Sequence, residues 1–193
     1  MKWTSTCLVA GAILMSGCDK VGPMLARHGY IHDLGDYAVR SVKFVPELPP
    51  YGHRWGTGRY LKVELASSRQ LHNSYPTYWI GTASDYCPMK ADNRLMAIGV
   101  LDQHGVMIDR YQNKRIQKSE TGSYHYHVFV PAEAPPAKPD HDIVIDKRDI
   151  CLQIFGGDHY NVFARSSVIR IPFKRVERAA NAAGVWVTRP KRQ

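Results

Sequence analysis

The 193-residue chain has no uninterrupted apolar run of the roughly 20 residues that a bilayer-crossing helix needs. It also has no G-x-S-x-G elbow, no H-E-x-x-H helix, no C-x-x-C pair and no phosphate-binding glycine loop. The common sequence routes to acyl transfer, zinc proteolysis, a Cys/His zinc site and nucleotide binding are therefore missing. WGTGRYL, 55–61, fails the dinucleotide pattern because Leu61 stands where its last glycine belongs. No segment repeats. Cysteines number only 4, and acids are scarce, 17 against 26 Lys and Arg, so both the redox compartment and the location of the excess positive charge need explaining.

What is present first is an uncharged leader. After Lys2, residues Trp3 to Gly17 carry no charge and are mostly apolar, and they end in Ser16 and Gly17 directly before Cys18. A cation, an apolar middle and small residues at a cleavage point are the layout of a signal peptide. A buried helix would want one polar face, which this segment lacks. The stretch ILMSGCDK, 13–20, resembles the lipobox of bacterial lipoproteins, with Met15 where leucine is more usual. The resemblance implies that residues 1–17 are removed and that Cys18, lipidated on its sulfur, becomes the first mature residue. It implies a protein anchored to a membrane of the bacterial envelope and facing the periplasm. Asp19 resembles an inner-membrane retention signal, but Lys20 departs from it, so inner and outer membrane both stay open. Cys7 leaves with the leader and Cys18 is taken by the lipid. Cys87 and Cys151 then remain as a pair where disulfides persist, and a bond between them is expected.

The net charge of +9 suggests nucleic acid until it is mapped. Loss of Lys2 leaves +8, of which residues 174–193 hold +5, from Lys174, Arg175, Arg178, Arg189, Lys191 and Arg192 against Glu177. The body is close to neutral by comparison. A basic tail can be drawn to anionic head groups at about 1 kcal/mol per residue, or it can be a solvated end with no partner. Nucleic acid is not an expected partner of an exported protein.

Residues 18–193 suit one domain. Residues 19–36, with three glycines, a proline and no sustained period, read as a tether. From Tyr37 the period becomes two: Val42 and Phe44 alternate with Ser41 and Lys43, and Leu61, Val63 and Leu65 with Lys62 and Glu64. Further strands are expected at PTYWIGT (76–82), RLMAIGVL (94–101), VMIDRY (106–111), SYHYHVFV (123–130), HDIVI (141–145), ICLQIF (150–155) and VFARSSVIRIPF (162–173). Turn signals lie between them at LDQHG, 101–105, and GGDHYN, 156–161. Nine short strands predict an all-β antiparallel sandwich over 37–173. FKRVERAANAAG, 173–184, predicts a short, weakly packed helix carrying Val176, Ala179, Ala180 and Ala183 on one side and stopped by Gly184, with the basic tail following it to residue 193.

His125 and His127, two apart on one strand, share a face and could together bind a metal. A third ligand would have to come from His141, Asp142, Asp158 or His159, and the sequence brings none of them close. The alternative is the polar side of a half-buried strand, with Tyr124, Tyr126, Val128 and Val130 opposite. No catalytic residues and no cofactor are implied. Asp140, Asp142, Asp146 and Asp149 read as solvated loop charges. Tyr51, His53, Arg54 and Trp55 crowd a proline-rich loop, and Tyr, Trp and Arg are the side chains that most often anchor protein interfaces. Tyr75 and Tyr78 lie near another turn, while Trp79, within a strand, reads as core. The layout of lipobox, tether and compact disulfide-bonded β domain resembles periplasmic lipoproteins that act as immunity proteins against antibacterial effectors, such as those of type VI secretion. It implies a protein partner met at the membrane. Two alternatives are an envelope or secretion-system assembly lipoprotein and a metal-binding or hydrolytic enzyme built on the HYH strand.

Overall fold

The computed structural model describes residues 32–46, 59–71, 79–90, 95–108, 118–133, 141–157 and 162–185. Within them lie the strands β1 (His32–Asp33), β2 (Ala38–Val45), β3 (Tyr60–Ser67), β4 (Trp79–Tyr86), β5 (Ile98–Asp102), β6 (Tyr124–Pro131), β7 (Ile150–Gly157), β8 (Val162–Arg165) and β9 (Ile169–Ile171), followed by helix α1 (Phe173–Ala182). One sheet runs β1-β8-β7-β4, with β9 also on β7; the other runs β2-β3-β6-β5. Pairing is antiparallel except between β1 and β8. This is the all-β sandwich with a short C-terminal helix that the alternation predicts.

The period of two builds the core. Leu61, Val63 and Leu65 of β3 and Tyr126, Val128 and Val130 of β6 are fully buried, and they meet Ile150, Leu152 and Ile154 of β7 and Ile171 of β9. Each such aliphatic contributes about 2 kcal/mol by leaving water. A slip of β3 by one residue would put Lys62 and Glu64 in their place, so the pattern fixes the register. Across the sandwich, the Leu95 N–H donates to the Ser84 carbonyl (3.1 Å) and the Ala97 N–H to Ser84 Oγ (2.8 Å), stitching the approach to β5 onto β4.

Several expectations change. HDIVI is no strand: Asp142 pairs with Glu133 in a single bridge, and its Oδ1 accepts the Val144 and Ile145 N–H groups at 3.0 and 3.1 Å. A side chain that caps its own following amides turns the chain, whatever the β-propensity of Ile and Val. The described part of VMIDRY gives one bridge, Leu101 to Met107, after a turn in which Asp102 Oδ1 accepts from His104 and Val106 N–H at 2.8 and 2.9 Å. The last run divides into β8 and β9 around 166–168. There Ser166 Oγ accepts the Ile154 N–H at 3.0 Å, and a side chain replaces one rung of the ladder. Because β1 pairs with β8, the folded body includes His32 and Asp33, inside the segment read as tether.

The helix is short, as expected, but not weakly packed: Val176 and Ala180 are fully buried. Pro172, in the N-cap position, offers no side-chain cap. Asp149, preceding β7, supplies one from a distance, its Oδ1 accepting the Phe173 N–H at 2.8 Å and its Oδ2 the Arg170 Nε–H at 2.8 Å. Those two bonds, the Phe173 amide first, hold its carboxyl below the usual range. At the other end Gly184 adopts φ +62°. The Val185 N–H reaches the Ala180 carbonyl (2.9 Å) and the Gly184 N–H that of Asn181 (3.2 Å), a Schellman closure. Ala183 is exposed at the C-cap and does not share the buried face. Arg175 clamps the helix to β2, donating to the carbonyls of Val39 (2.9 Å) and Arg40 (3.1 Å), where the β2–β3 register shifts.

Cys87 and Cys151 are bonded, with Cα atoms 5.2 Å apart. The bridge runs diagonally from Cys87, the residue after β4, to Cys151 of its ladder partner β7, whose own partner is Asp85, so it staples neighbours within one sheet. Asp146 is also engaged: the Tyr86 hydroxyl donates to its Oδ2, and Arg148 lies over the Tyr86 ring at 4.4 Å. Asp142, Asp146 and Asp149 are thus bonded within the loops as well as open to solvent, Asp146 the most exposed of the three, while Asp140 lies outside the described residues.

Candidate functional site

The chemistry that the HYH strand offers depends on what stands beside it. In the sheet β2-β3-β6-β5, residues two apart share a face, and the inward set is apolar. The outward set therefore lines up in rows: Ser41 opposite Glu64 opposite His127, then Lys43 opposite Lys62 opposite Phe129. His125 stands one row beyond His127, across from Ala66. The paired histidines do share a face, with Tyr126, Val128 and Val130 buried behind them.

Glu64 organises the row. It accepts the Ser41 hydroxyl at 2.8 Å through Oε2 and meets His125 Nδ1 at 3.0 Å through Oε1. An ionised carboxylate can only accept, so Nδ1 carries the proton. His125 and then Ser41 hold the Glu64 carboxyl below its usual range. In the neutral ring, Nε2 faces Ser123 Oγ at 3.2 Å as acceptor. His127 differs: burial pushes its imidazole down, and Lys62 pushes further, with Glu64 partly opposing and Lys43 adding a smaller push the same way. Burial and Lys43 also lower Lys62, whose ammonium sits 5.8 Å from the centre of the Phe129 ring.

Ser123, His125 and Glu64 stand in the order nucleophile, base, orienter, which asks whether the face could transfer an acyl group. Such a step also needs N–H donors for the oxyanion. The two amides at hand are committed: Gly122 N–H donates to the Ser119 carbonyl (2.9 Å) and Ser123 N–H to Ser119 Oγ (3.4 Å). The Ser119, Thr121 and Ser123 hydroxyls bond one another at 2.7 to 3.3 Å. This is a hydroxyl knot that shapes the turn into β6.

A metal fares no better among the described residues, where no three His, Cys, Asp or Glu side chains are grouped to hold one. Glu64 is taken by His125 and Ser41. The Asp142 bridge is to Glu133, six residues past His127 and so about 20 Å along the strand; His141, its neighbour, is buried there. Asp158 and His159 lie outside the described residues.

So do Cys18, Tyr51, His53, Arg54, Trp55, Tyr75, Tyr78 and the Trp79 side chain. Four of them, Tyr51, His53, Arg54 and Trp55, belong to 47–58, the segment between β2 and β3, whose described ends pair at Val45↔Tyr60, one same-face row from Lys43↔Lys62. Sequence reasoning missed Ser41, Lys43, Lys62, Glu64 and Ser123 as neighbours of the histidines. The outward alternation of Lys62 and Glu64 was visible, but no sequence signal sets Glu64 against His125, which lies 61 residues away. No protein-family model, no curated protein and no solved structure matches this chain.

Proposed function

We propose that this protein is a lipid-anchored module of the bacterial envelope that faces the periplasm and binds a protein partner, with no catalysis of its own, and that the partner is an antibacterial effector it neutralises. The observation that carries the reading is the Cys87–Cys151 bond, which suits an oxidising compartment outside the cytosol. It agrees with the lipobox-like ILMSGC before residue 19, which accounts for the other two cysteines. The committed amides around Ser123 support binding over acyl transfer. The contact surface is the β2–β3 connection with Tyr51, His53, Arg54 and Trp55.

The test has two arms. Cys18→Ser should abolish lipidation and move the protein from the membrane fraction to the soluble periplasm; a variant that still pellets after a salt wash overturns the anchor. Trp55→Ala and Arg54→Ala should each weaken binding to the product of the adjacent gene by about thirtyfold, the effect of truncating an interface anchor, with unchanged thermal melts. Normal binding by both variants would place the contact elsewhere. An adjacent operon of envelope-assembly genes, with a product from it captured instead, would replace immunity by an assembly role.

A further inference from the structure

We infer that Lys43 and Lys62, with His127 beside them, form a seat for the side-chain carboxylates of an acidic protein partner. The inference rests on the protein-binding reading above and adds the chemistry of the partner.

Lys43 and Lys62 face each other directly across β2 and β3, on the outward side. Like charges opposite one another destabilise a sheet, so the placement asks for a counter-charge. Among the described residues neither ammonium has a carboxylate within ion-pair distance. The acid in the next row, Glu64, is already bonded to Ser41 and His125. Lys62 instead leans over the Phe129 ring, and burial, then these two cations, hold the imidazole of His127, half-buried in the neighbouring row, below its usual value, with Glu64 and Asp102 opposing. An entering carboxylate would relieve the Lys–Lys repulsion and allow His127 to accept a proton, giving three donors to one acid.

A side chain that reaches in suits this seat better than a flat layer of head groups does. Lys43 is exposed, but Lys62 and His127 are partly buried within the sheet face, so a flat layer of head groups meets only the first of the three groups directly. A cationic row with an aromatic ring, Phe129, beneath one of its ammonium groups offers charge complementarity to an acidic partner.

The experiment uses the full chain in a nonionic detergent and follows the imidazole resonances of His127 through a pH titration, with and without an acidic tetraglutamate peptide. The peptide should raise the titration midpoint of His127, and a tetralysine peptide should not. Lys43→Met and Lys62→Met should each weaken the peptide by about fivefold, while their thermal melts stay level or rise because a repulsion has gone. An unmoved His127 at millimolar peptide, or lysine variants that bind it as the parent does, overturns the inference. Phosphatidylglycerol vesicles that shift His127 through the same lysines, where the peptide does not, overturn it in favour of the membrane. The probe is a peptide and not the natural partner, so this result stands or falls separately from the identity of any effector.

Discussion

Glu64 is a single carboxylate that sets the bonding of its neighbours. Its native form is stabilised by His125 and Ser41, so its folded pKa lies below the unfolded value. A depressed carboxylate contributes stability above the unfolded value of about 4.3 and loses it as pH falls through the folded one. His127 acts in the same direction: burial and Lys62 depress it, so the unfolded chain binds a proton near pH 6.5 that the folded chain resists. Stability should therefore rise with pH from about 4 to 7. Glu64→Gln should cost about 1 kcal/mol at pH 7, and the gap to the parent should close below about pH 4, as read from urea midpoints across pH. A gap that persists undiminished at low pH would show that packing, and not charge, explains the cost. The histidine face itself was legible, because a period of two needs no tertiary knowledge. Its carboxylate was not, because Glu64 comes from a different strand.

At the scale of elements, α1 holds at both ends by devices of different visibility. Gly184 advertised its stop, and at φ +62° it meets open space, so a methyl group there costs backbone strain alone, about 1 kcal/mol. Asp149 did not advertise itself: the helix start at Phe173 was plain in the sequence, but its cap lies 24 residues before the amide it bonds. Asp149→Ala should remove about 1 kcal/mol, and Arg170→Ala distinctly less, because Arg170 is mostly exposed. Chemical denaturation of the three variants checks the order; equal losses for Asp149→Ala and Arg170→Ala would make the ion pair the working contact. The strands follow the same rule. β2, β3 and β6 were plain in the alternation and β7 in its strand-forming composition, while HDIVI misled because Asp142 bonds its own following amides, and β1 is too short at two residues to leave a pattern. Where local bonding competes with propensity, the local bond decided.

For the whole molecule, the bridge between Cys87 and Cys151 closes a long loop between strands that the ladder already pairs from Trp79↔Gly157 to Tyr86↔Ile150. Its contribution falls chiefly on the unfolded chain, about 4 kcal/mol on the loop-entropy model. Cys87→Ser/Cys151→Ser should keep the fold and its circular dichroism but shift the urea midpoint down by up to that amount; loss of the sheet signal in native buffer would show that the ladder cannot stand without it. The parallel pairing of β1 with β8, His32 against Ala164, has a different consequence, and it concerns time. At roughly 10 residues per second of synthesis, the first strand waits about 13 s for the partner that completes its sheet. Helix α1, which clamps β2, comes later still. The sheet that holds β1 thus cannot close on its own beginning until the chain is nearly made, whereas the β2-β3-β6-β5 sheet has all its strands by residue 131, so the two halves of the sandwich are completed at different times.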